Sequence, residues 1–175
     1  VVLGAESELM SFLGGSFLSY IGCVVKRAEN SLAAVRAGVR KNNADLGVFL
    51  AADGEGVVAV DERGGVAGAD EYRALSLSLA LEVKGMSVVI PHDAPQALRN
   101  MARGAEVIQV KSEPAEVMAA MLSREAADGR IALQYLLDFD GIQAAARIAD
   151  YLASRKMRLS QLLKRLPALN YKATA

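Results

Sequence analysis

Residue types that build many common functional sites are scarce in this chain. It has one cysteine, Cys23, one histidine, His92, and no tryptophan among 175 residues. A single cysteine excludes an internal disulfide and any metal site built from several thiolates. A single histidine excludes zinc sites that use a histidine pair. Cys23 is interpreted as a small apolar residue of a buried strand.

The chain also lacks an excess of charge of either sign. Its 20 basic and 20 acidic side chains give a formal net charge of zero. Nucleic acid and anionic membranes select basic proteins, so we expect neither as a partner. No apolar run approaches the roughly 20 residues that a transmembrane helix needs. With 53% hydrophobic and 23% charged residues, the composition is that of a globular protein with a substantial core.

The hydrophobic pattern of residues 1–66 predicts a β-α-β-α-β-β unit. Short strands are predicted over residues 1–3 and 23–25, each followed by an amphipathic helix, the first capped by Ser7 and the second by Asn30. Two more strands are predicted over residues 46–50 and 57–60, with a tight loop between them. Helical crossovers imply a mostly parallel sheet whose last strand is antiparallel.

Residues 67–175 repeat this order of elements after a glycine-rich boundary. Strands are predicted over residues 87–90, 106–110 and 130–137, and helices over residues 70–85, 94–103, 113–124, 141–154 and 159–166. Gly85 is expected to end the first helix, and the tail after Pro167 is expected to fray. The prediction is an α/β fold of two consecutive three-layer α/β/α units with mostly parallel, mixed sheets, over residues 1–66 and 67–175.

The loop at residues 51–56, called the acidic loop below, is the first candidate site. Its sequence is AADGEG, with carboxylates at Asp53 and Glu55. Mg²⁺ prefers octahedral oxygen coordination and usually combines carboxylates with phosphate and water, so this donor set is thin. The alternative interpretation is a solvated turn whose Gly54 and Gly56 permit positive φ angles.

The second candidate site consists of two residues that the sequence selects independently, His92 and Lys111. Each follows a predicted strand, and α/β proteins bind ligands at the carboxyl ends of their strands. His92 stands beside Asp93, and Lys111 could meet an anion. The alternative for both residues is a solvated side chain on a surface loop.

Six short segments form a pattern through their order and spacing. They are NSL at residues 30–32, ADLG at 44–47, VVAVDERG at 57–64, ADEYRAL at 69–75, VIQVK at 107–111 and DGI at 140–142. Together they resemble the α-D-phosphohexomutase family, which includes phosphomannomutase and phosphoglucomutase. The resemblance implies that residues 1–66 correspond to the C-terminal part of that family's second domain and residues 67–175 to its third.

Active members of this family have four domains, with Mg²⁺ on a D-G-D-x-D-R loop and the sugar on a G-E-G-S-G-H loop. The metal loop falls on the acidic loop, where Ala51 replaces the first carboxylate, Asp53 keeps the second, Glu55 lengthens the third and Gly56 replaces the arginine. The sugar loop has no counterpart, and SEPA replaces the family's VGHK after Lys111. The resemblance therefore implies a vestigial metal loop with no bound cofactor.

Two functions remain open. The first is a catalytically degenerate fragment of a larger cytoplasmic sugar-phosphate protein, with a structural or regulatory role. Its partner would be the rest of that polypeptide, for example a fused sugar-phosphate nucleotidyltransferase. The second is a fragment of a phosphosugar mutase that still binds hexose phosphates. The start at Val1, without Met and inside a predicted strand, suggests an excised piece of a longer protein. We expect no mutase turnover from the isolated chain.

Overall fold

A computed structural model of the chain describes residues 1–83, 87–128 and 133–169. The strands are β1 (Val2–Ala5), β2 (Lys26–Arg27), β3 (Gly47–Leu50), β4 (Val57–Val60), β5 (Val88–Pro91) and β6 (Val107–Val110). The helices are α1 (Glu8–Tyr20), α2 (Leu32–Asn42), α3 (Ala69–Leu81), α4 (Gln96–Met101), α5 (Pro114–Asp128), α6 (Leu133–Phe139), α7 (Gly141–Arg155) and α8 (Leu159–Leu163).

The chain divides into two compact units. Unit 1 contains Val1–Gly68 and Leu137–Arg165, and unit 2 contains the described residues of Ala69–Leu136 and Leu166–Ala175. The boundary near residue 68 lies close to the expected one, but the segment from Leu137 to Arg165 joins unit 1 rather than the unit that precedes it in sequence. The assignment of the units to particular domains of the family stays a prediction.

Unit 1 contains a four-stranded mixed sheet in the order β2-β1-β3-β4. β1 runs parallel to both of its neighbours, and β4 runs antiparallel to β3. Helical connections produce the parallel pairs, whereas the short acidic loop reverses the chain between β3 and β4. The predicted fold class, α/β with mixed and mostly parallel sheets, is confirmed.

Helices cover both faces of this sheet. Gly14 of α1 lies so close to Leu50 of β3 that an added Cβ would come within 2.7 Å of it. On the opposite face, a Cβ at Gly47 would come within 2.6 Å of the Val39 side chain of α2. Small residues at these two contacts let each helix approach the strands closely, which produces the three-layer arrangement.

The helix caps of unit 1 agree with the sequence at one position and differ at another. Ser7 caps α1, as predicted, because its side chain accepts a hydrogen bond from the Met10 amide. The prediction that Asn30 caps α2 is wrong, since the Ser31 hydroxyl accepts the hydrogen bond from the Ala34 amide. The second strand also lies later than predicted, at Lys26–Arg27, because only those residues pair with β1.

Unit 2 contains a two-stranded parallel sheet, β5 with β6. The buried side chains of Val88 and Ile90 join a core that includes Leu77 of α3 and Leu98 of α4. α5 packs against the same two strands. Strands and helices therefore alternate from β5 to α5 as the sequence predicts, and the described residues of this unit form two strands where unit 1 has four.

The strand predicted over residues 130–137 is wrong within the described part of the chain. Residues 133–139 form α6, because Leu133, Leu136 and Leu137 recur at helical spacing and Leu137 is fully buried. Residues 130–132, the expected helix end at Gly85 and the tail from residue 170 lie outside the described residues. Throughout the described ranges, no helix is both long and apolar enough to cross a membrane.

Candidate functional site

The acidic loop lies at the carboxyl end of β3 and closes on itself. The Ala51 amide donates to the Gly56 carbonyl at 2.9 Å, and the Gly54 amide donates to the Ala51 carbonyl at 3.2 Å. Gly54 has a φ of 82°, a left-handed conformation that glycine adopts without a steric penalty. The loop is thus a tight turn of the kind that the alternative interpretation of the sequence describes.

The Asp53 carboxylate is part of this turn. Its Oδ1 accepts hydrogen bonds from the amides of Glu55, at 2.9 Å, and Gly56, at 3.4 Å. This local pattern is common for aspartate in turns. Both Asp53 and Glu55 are exposed, so one oxygen of the first carboxylate serves the loop backbone and the second carboxylate extends into solvent.

Two contacts from distant segments fix the position of the loop. The Glu6 carboxylate accepts a hydrogen bond from the Ala52 amide at 2.9 Å. The amide of Gly141, the first residue of α7, donates to the Gly54 carbonyl at 2.8 Å. A Cβ at Gly141 would lie 2.7 Å from the Gly56 carbonyl oxygen, so only glycine permits this approach. Sequence reasoning missed both contacts, although it noted Gly141 within the DGI segment.

The donors at the acidic loop do not fit the Mg²⁺ that the resemblance implies. Ala51 supplies no carboxylate, and Asp53 already uses one oxygen for two backbone amides. Within the described ranges, no three His, Cys, Asp or Glu side chains gather in a group that could hold a metal ion. Mg²⁺ needs six oxygen ligands in a strict geometry, and two exposed carboxylates separated by a glycine do not supply it.

The second candidate site lies at the carboxyl edge of the β5-β6 sheet. Because Pro91 pairs with Val110, His92 and Lys111 leave their strands side by side. The His92 amide donates to the Val110 carbonyl at 2.8 Å, which closes the end of the sheet. The structure therefore brings together the two residues that the sequence selected, and both are exposed.

Four further polar residues join this edge. The Arg99 guanidinium donates to the His92 carbonyl, and the Ser112 hydroxyl donates to the Asp93 carboxylate. The Lys111 ammonium lies 3.9 Å from the Glu116 carboxylate, with 77% of the lysine side chain exposed. Sequence reasoning did not select Arg99 or Ser112, because their roles depend on the return of α4 and the pairing of β6. The edge thus carries the exposed side chains of Lys111 and His92 beside the carboxylates of Asp93 and Glu116.

One carboxylate outside both candidate sites is tightly bound. Glu62, in the turn after β4, accepts hydrogen bonds from the Ser160 hydroxyl at 2.5 Å and from the Ser160 amide at 3.3 Å. Burial by itself would raise the pKa of Glu62, but the hydrogen bonds and the nearby Arg63 outweigh it, so the pKa lies below its ordinary value. Glu62 therefore ties the turn after β4 to the first turn of α8.

Comparison with known proteins gives related sequences of one kind. A probable phosphoglucosamine mutase of Methanosarcina barkeri is 26% identical over 145 residues, which cover 79% of this chain and 33% of the relative. The phosphoglucosamine mutase of Desulfovibrio desulfuricans is 30% identical over 139 residues, which cover 73% of this chain and 31% of the relative. A probable phosphoglucosamine mutase of Methanopyrus kandleri is 32% identical over 139 residues. The chain spans about a third of the length of these curated relatives.

Solved structures share the fold at lower sequence identity. A phosphoglucomutase/phosphomannomutase family protein of Burkholderia thailandensis superposes with a TM-score of 0.72 at 18% identity, covering 95% of this chain and 42% of that one. A putative phosphomannomutase of Thermus thermophilus superposes with a TM-score of 0.70 at 14% identity, covering 94% of this chain and 44% of that one. No family model matches the chain.

Proposed function

We propose that this chain, whose sequence relatives and fold are those of the α-D-phosphohexomutase superfamily, is a catalytically degenerate module of a larger sugar-phosphate protein. The resemblance to that superfamily is confirmed by phosphoglucosamine mutases among its relatives and by phosphoglucomutase/phosphomannomutase family proteins among its structural neighbours. The chain is thus a phosphohexomutase-like fragment, related to isomerases of carbohydrate metabolism.

The construction of the acidic loop is the observation that supports a degenerate role. Its backbone groups bond to one another, to the Asp53 and Glu6 carboxylates and to the Gly141 amide. A functional magnesium loop needs carboxylate oxygens that are aimed at the ion and held there by their neighbours. Here the neighbours hold the loop as a docking point for α7.

The role that follows from this construction is structural or regulatory. The proposed partner is the rest of a longer polypeptide, since the chain spans only about a third of the length of the curated relatives that it matches. We propose a cytoplasmic location for that polypeptide. Fusion to a sugar-phosphate nucleotidyltransferase is one such polypeptide. In that setting the acidic loop and α7 would stiffen unit 1 as a scaffold.

A turnover assay tests this proposal. The chain is incubated with glucose 1-phosphate, mannose 1-phosphate or glucosamine 1-phosphate, together with Mg²⁺ and a hexose bisphosphate activator. We expect no transfer of phosphate between the 1 and 6 positions, because the metal donors are incomplete. Measurable transfer, absent from a mock purification without the chain, would overturn the proposal.

A second candidate function is the binding of a hexose phosphate at the β5-β6 edge. The observation that favours it is the gathering of His92, Lys111 and Ser112 at the carboxyl ends of paired parallel strands. A lysine with an exposed ammonium is a suitable partner for a phosphate group. The salt bridge from Lys111 to Glu116 is long and exposed, so a phosphate could displace it at little cost.

Calorimetric titration distinguishes the two functions. Sub-millimolar affinity for a hexose phosphate that falls at least about tenfold in Lys111→Ala would establish the second function, since one charge-assisted contact is worth about 1.5–3 kcal/mol. Lys41→Ala, which removes an exposed lysine of unit 1, is the matched control and should bind as the wild type does. No heat with any hexose phosphate at millimolar concentration would favour the scaffold.

A further inference from the structure

The side chain of Gln134 makes an unusual pair of hydrogen bonds with β5. Its Oε1 accepts from the Val89 amide at 2.8 Å, and its Nε2 donates to the Val89 carbonyl at 2.9 Å. Both residues are buried, with 9% of Gln134 and 3% of Val89 exposed. One primary amide thus satisfies the donor and the acceptor of one strand residue, as a peptide group of a neighbouring strand would.

The two bonds lie on the edge of β5 that β6 does not use. β6 takes the other edge, where the Val88 amide donates to Glu106 and the His92 amide donates to Val110. In a parallel pair, alternate residues direct their backbone groups to opposite sides of the strand. Val89 therefore faces away from β6, toward Gln134.

The other β5 residue that faces this edge, Pro91, has no free backbone group with which another strand could pair. Pro91 has no amide hydrogen, and its carbonyl accepts the Ala94 amide at 3.1 Å. With Val89 satisfied by Gln134 and Pro91 by Ala94, both of these edge positions are complete without a third strand.

Unit 1 shows how a strand on the second edge of β5 would pair. Its strand β1 occupies the same place before its first helix, and it pairs with β2 on one side and with β3 on the other. β5 has β6 on one side and the Gln134 amide on the other. Open strand edges with unpaired backbone groups invite pairing with other chains.

We propose that Gln134 is a strand substitute that seals the second edge of β5, and that it prevents this edge from pairing with β5 of a second copy of the chain. Two antiparallel β5 strands centred on Val89 could exchange two backbone hydrogen bonds, which are the same number that Gln134 supplies. The seal is local, because one side chain provides both bonds and no further strand is needed.

Hydrogen exchange of the unmodified chain gives the first test. The Val89 amide should exchange as slowly as the amides of Val88 and His92, which bond to β6. Fast exchange at Val89 with protection at the other two would overturn the proposal. This measurement does not depend on the folding of any variant.

The matched test is Gln134→Met against Gln96→Met. Methionine keeps the length and apolar contacts of the glutamine stem but removes both hydrogen bonds. Gln96 is an exposed residue of α4 whose side-chain amide donates to the Asn100 side chain at 3.2 Å. Gln134→Met should speed exchange at Val89 by about tenfold or more while leaving His92 protected, and Gln96→Met should change neither. Unchanged exchange in Gln134→Met would overturn the seal.

Light scattering tests the consequence for assembly. At raised concentration, Gln134→Met should form dimers or larger species in a larger fraction than the wild type and Gln96→Met. A Gln134→Met chain that stays as monomeric as the control at every concentration would overturn the protective role.

Discussion

The first strands of units 1 and 2, β1 and β5, find hydrogen-bond partners for their two edges in different ways. In unit 1, β1 lies between two parallel strands and its hydrogen bonds go to backbone on both sides. Among the described residues of unit 2, β5 has one strand neighbour and bonds on its other edge to the side chain of Gln134. The same order of a strand, a helix and a strand is therefore compatible with a wide sheet or a narrow one. The difference depends on what lies at the second edge.

The carboxyl edges of the two sheets also differ in how far their polar groups are bonded within the protein. In unit 1, the acidic loop has its backbone groups bonded to Glu6, Asp53 and Gly141. In unit 2, Lys111 keeps most of its side chain in solvent. In unit 1 the loop after β3 is therefore a hydrogen-bonded turn, whereas in unit 2 a charged side chain at the carboxyl edge remains exposed.

The largest loss of stability should come from a valine in the central strand β3, and the same substitution in the more exposed strand β6 should cost less. Val48→Ala in β3 should lower the free energy of unfolding by about 2–3 kcal/mol, because it leaves a cavity at a side chain that is 1% exposed. Val107→Ala makes the same change in β6, where 37% of the residue is exposed, and should cost less than about 1 kcal/mol. Urea denaturation followed by circular dichroism measures both. Equal costs would remove the contrast between the two sheets.

The docking of α7 on the acidic loop gives the next effect. Gly141→Ala should destabilise the chain by about 1–3 kcal/mol, because the new methyl group would overlap the Gly56 carbonyl oxygen. In a helix that made no such contact, the same change would stabilise by up to about 1 kcal/mol. Urea denaturation should therefore show whether Gly141→Ala lowers or raises the free energy of unfolding. A stabilised variant would mean that the loop does not hold α7.

The tie between Glu62 and Ser160 should have a smaller effect that depends on pH. Glu62→Gln should cost about 1–2 kcal/mol at neutral pH, since it removes a carboxylate that accepts two hydrogen bonds. The folded pKa lies below the ordinary value of 4.5, so this stability is present above that value and is lost as the pH falls through the lower folded pKa. Denaturation curves at several pH values should show the gap to wild type closing in acid.

The control for this experiment is Glu55→Gln, which changes an exposed carboxylate of the acidic loop. It should leave stability within about 0.5 kcal/mol of the wild type at every pH. A gap for Glu62→Gln that persists unchanged in acid would contradict the role of the Glu62 charge.

The smallest effect concerns Mg²⁺ at the acidic loop. About 5 mM MgCl₂ should raise the melting temperature by less than about 2 °C, because a ligand with a millimolar or weaker Kd stabilises the fold very little. Asp53→Asn keeps an oxygen for the loop amides and removes the charge, so its melting temperature should be the same with and without Mg²⁺. A rise of several degrees in the wild type that vanishes in Asp53→Asn would show that the loop still binds metal.

Local sequence patterns predicted much of the element order. Ser7 is followed by an amphipathic run, which predicted α1 and its cap. Val57 to Val60 follow a glycine-rich turn, which predicted β4 and its antiparallel direction. His92 and Lys111 each follow a predicted strand, which selected them one by one as candidate ligand-binding residues, and the pairing of β5 with β6 places them at one edge. These features depend on residues close in sequence, where turn chemistry and periodicity act directly.

Long-range contacts decided what the patterns could not. Residues 133–137 contain enough apolar residues for a strand, but helical spacing and the burial of Leu137 select α6, whose Gln134 then takes the place of a strand. Gly141 follows a helix cap in the sequence, and only packing shows that its amide meets the Gly54 carbonyl. Glu62 and Ser160 are 98 residues apart, and nothing in either local sequence pairs them. The sequence by itself determined the order of elements apart from α6, because periodicity and turn residues act over nearby positions. The tertiary structure alone decided the sealed edge, the docked loop and the unit that α7 joins, because each depends on chain segments that meet only after folding.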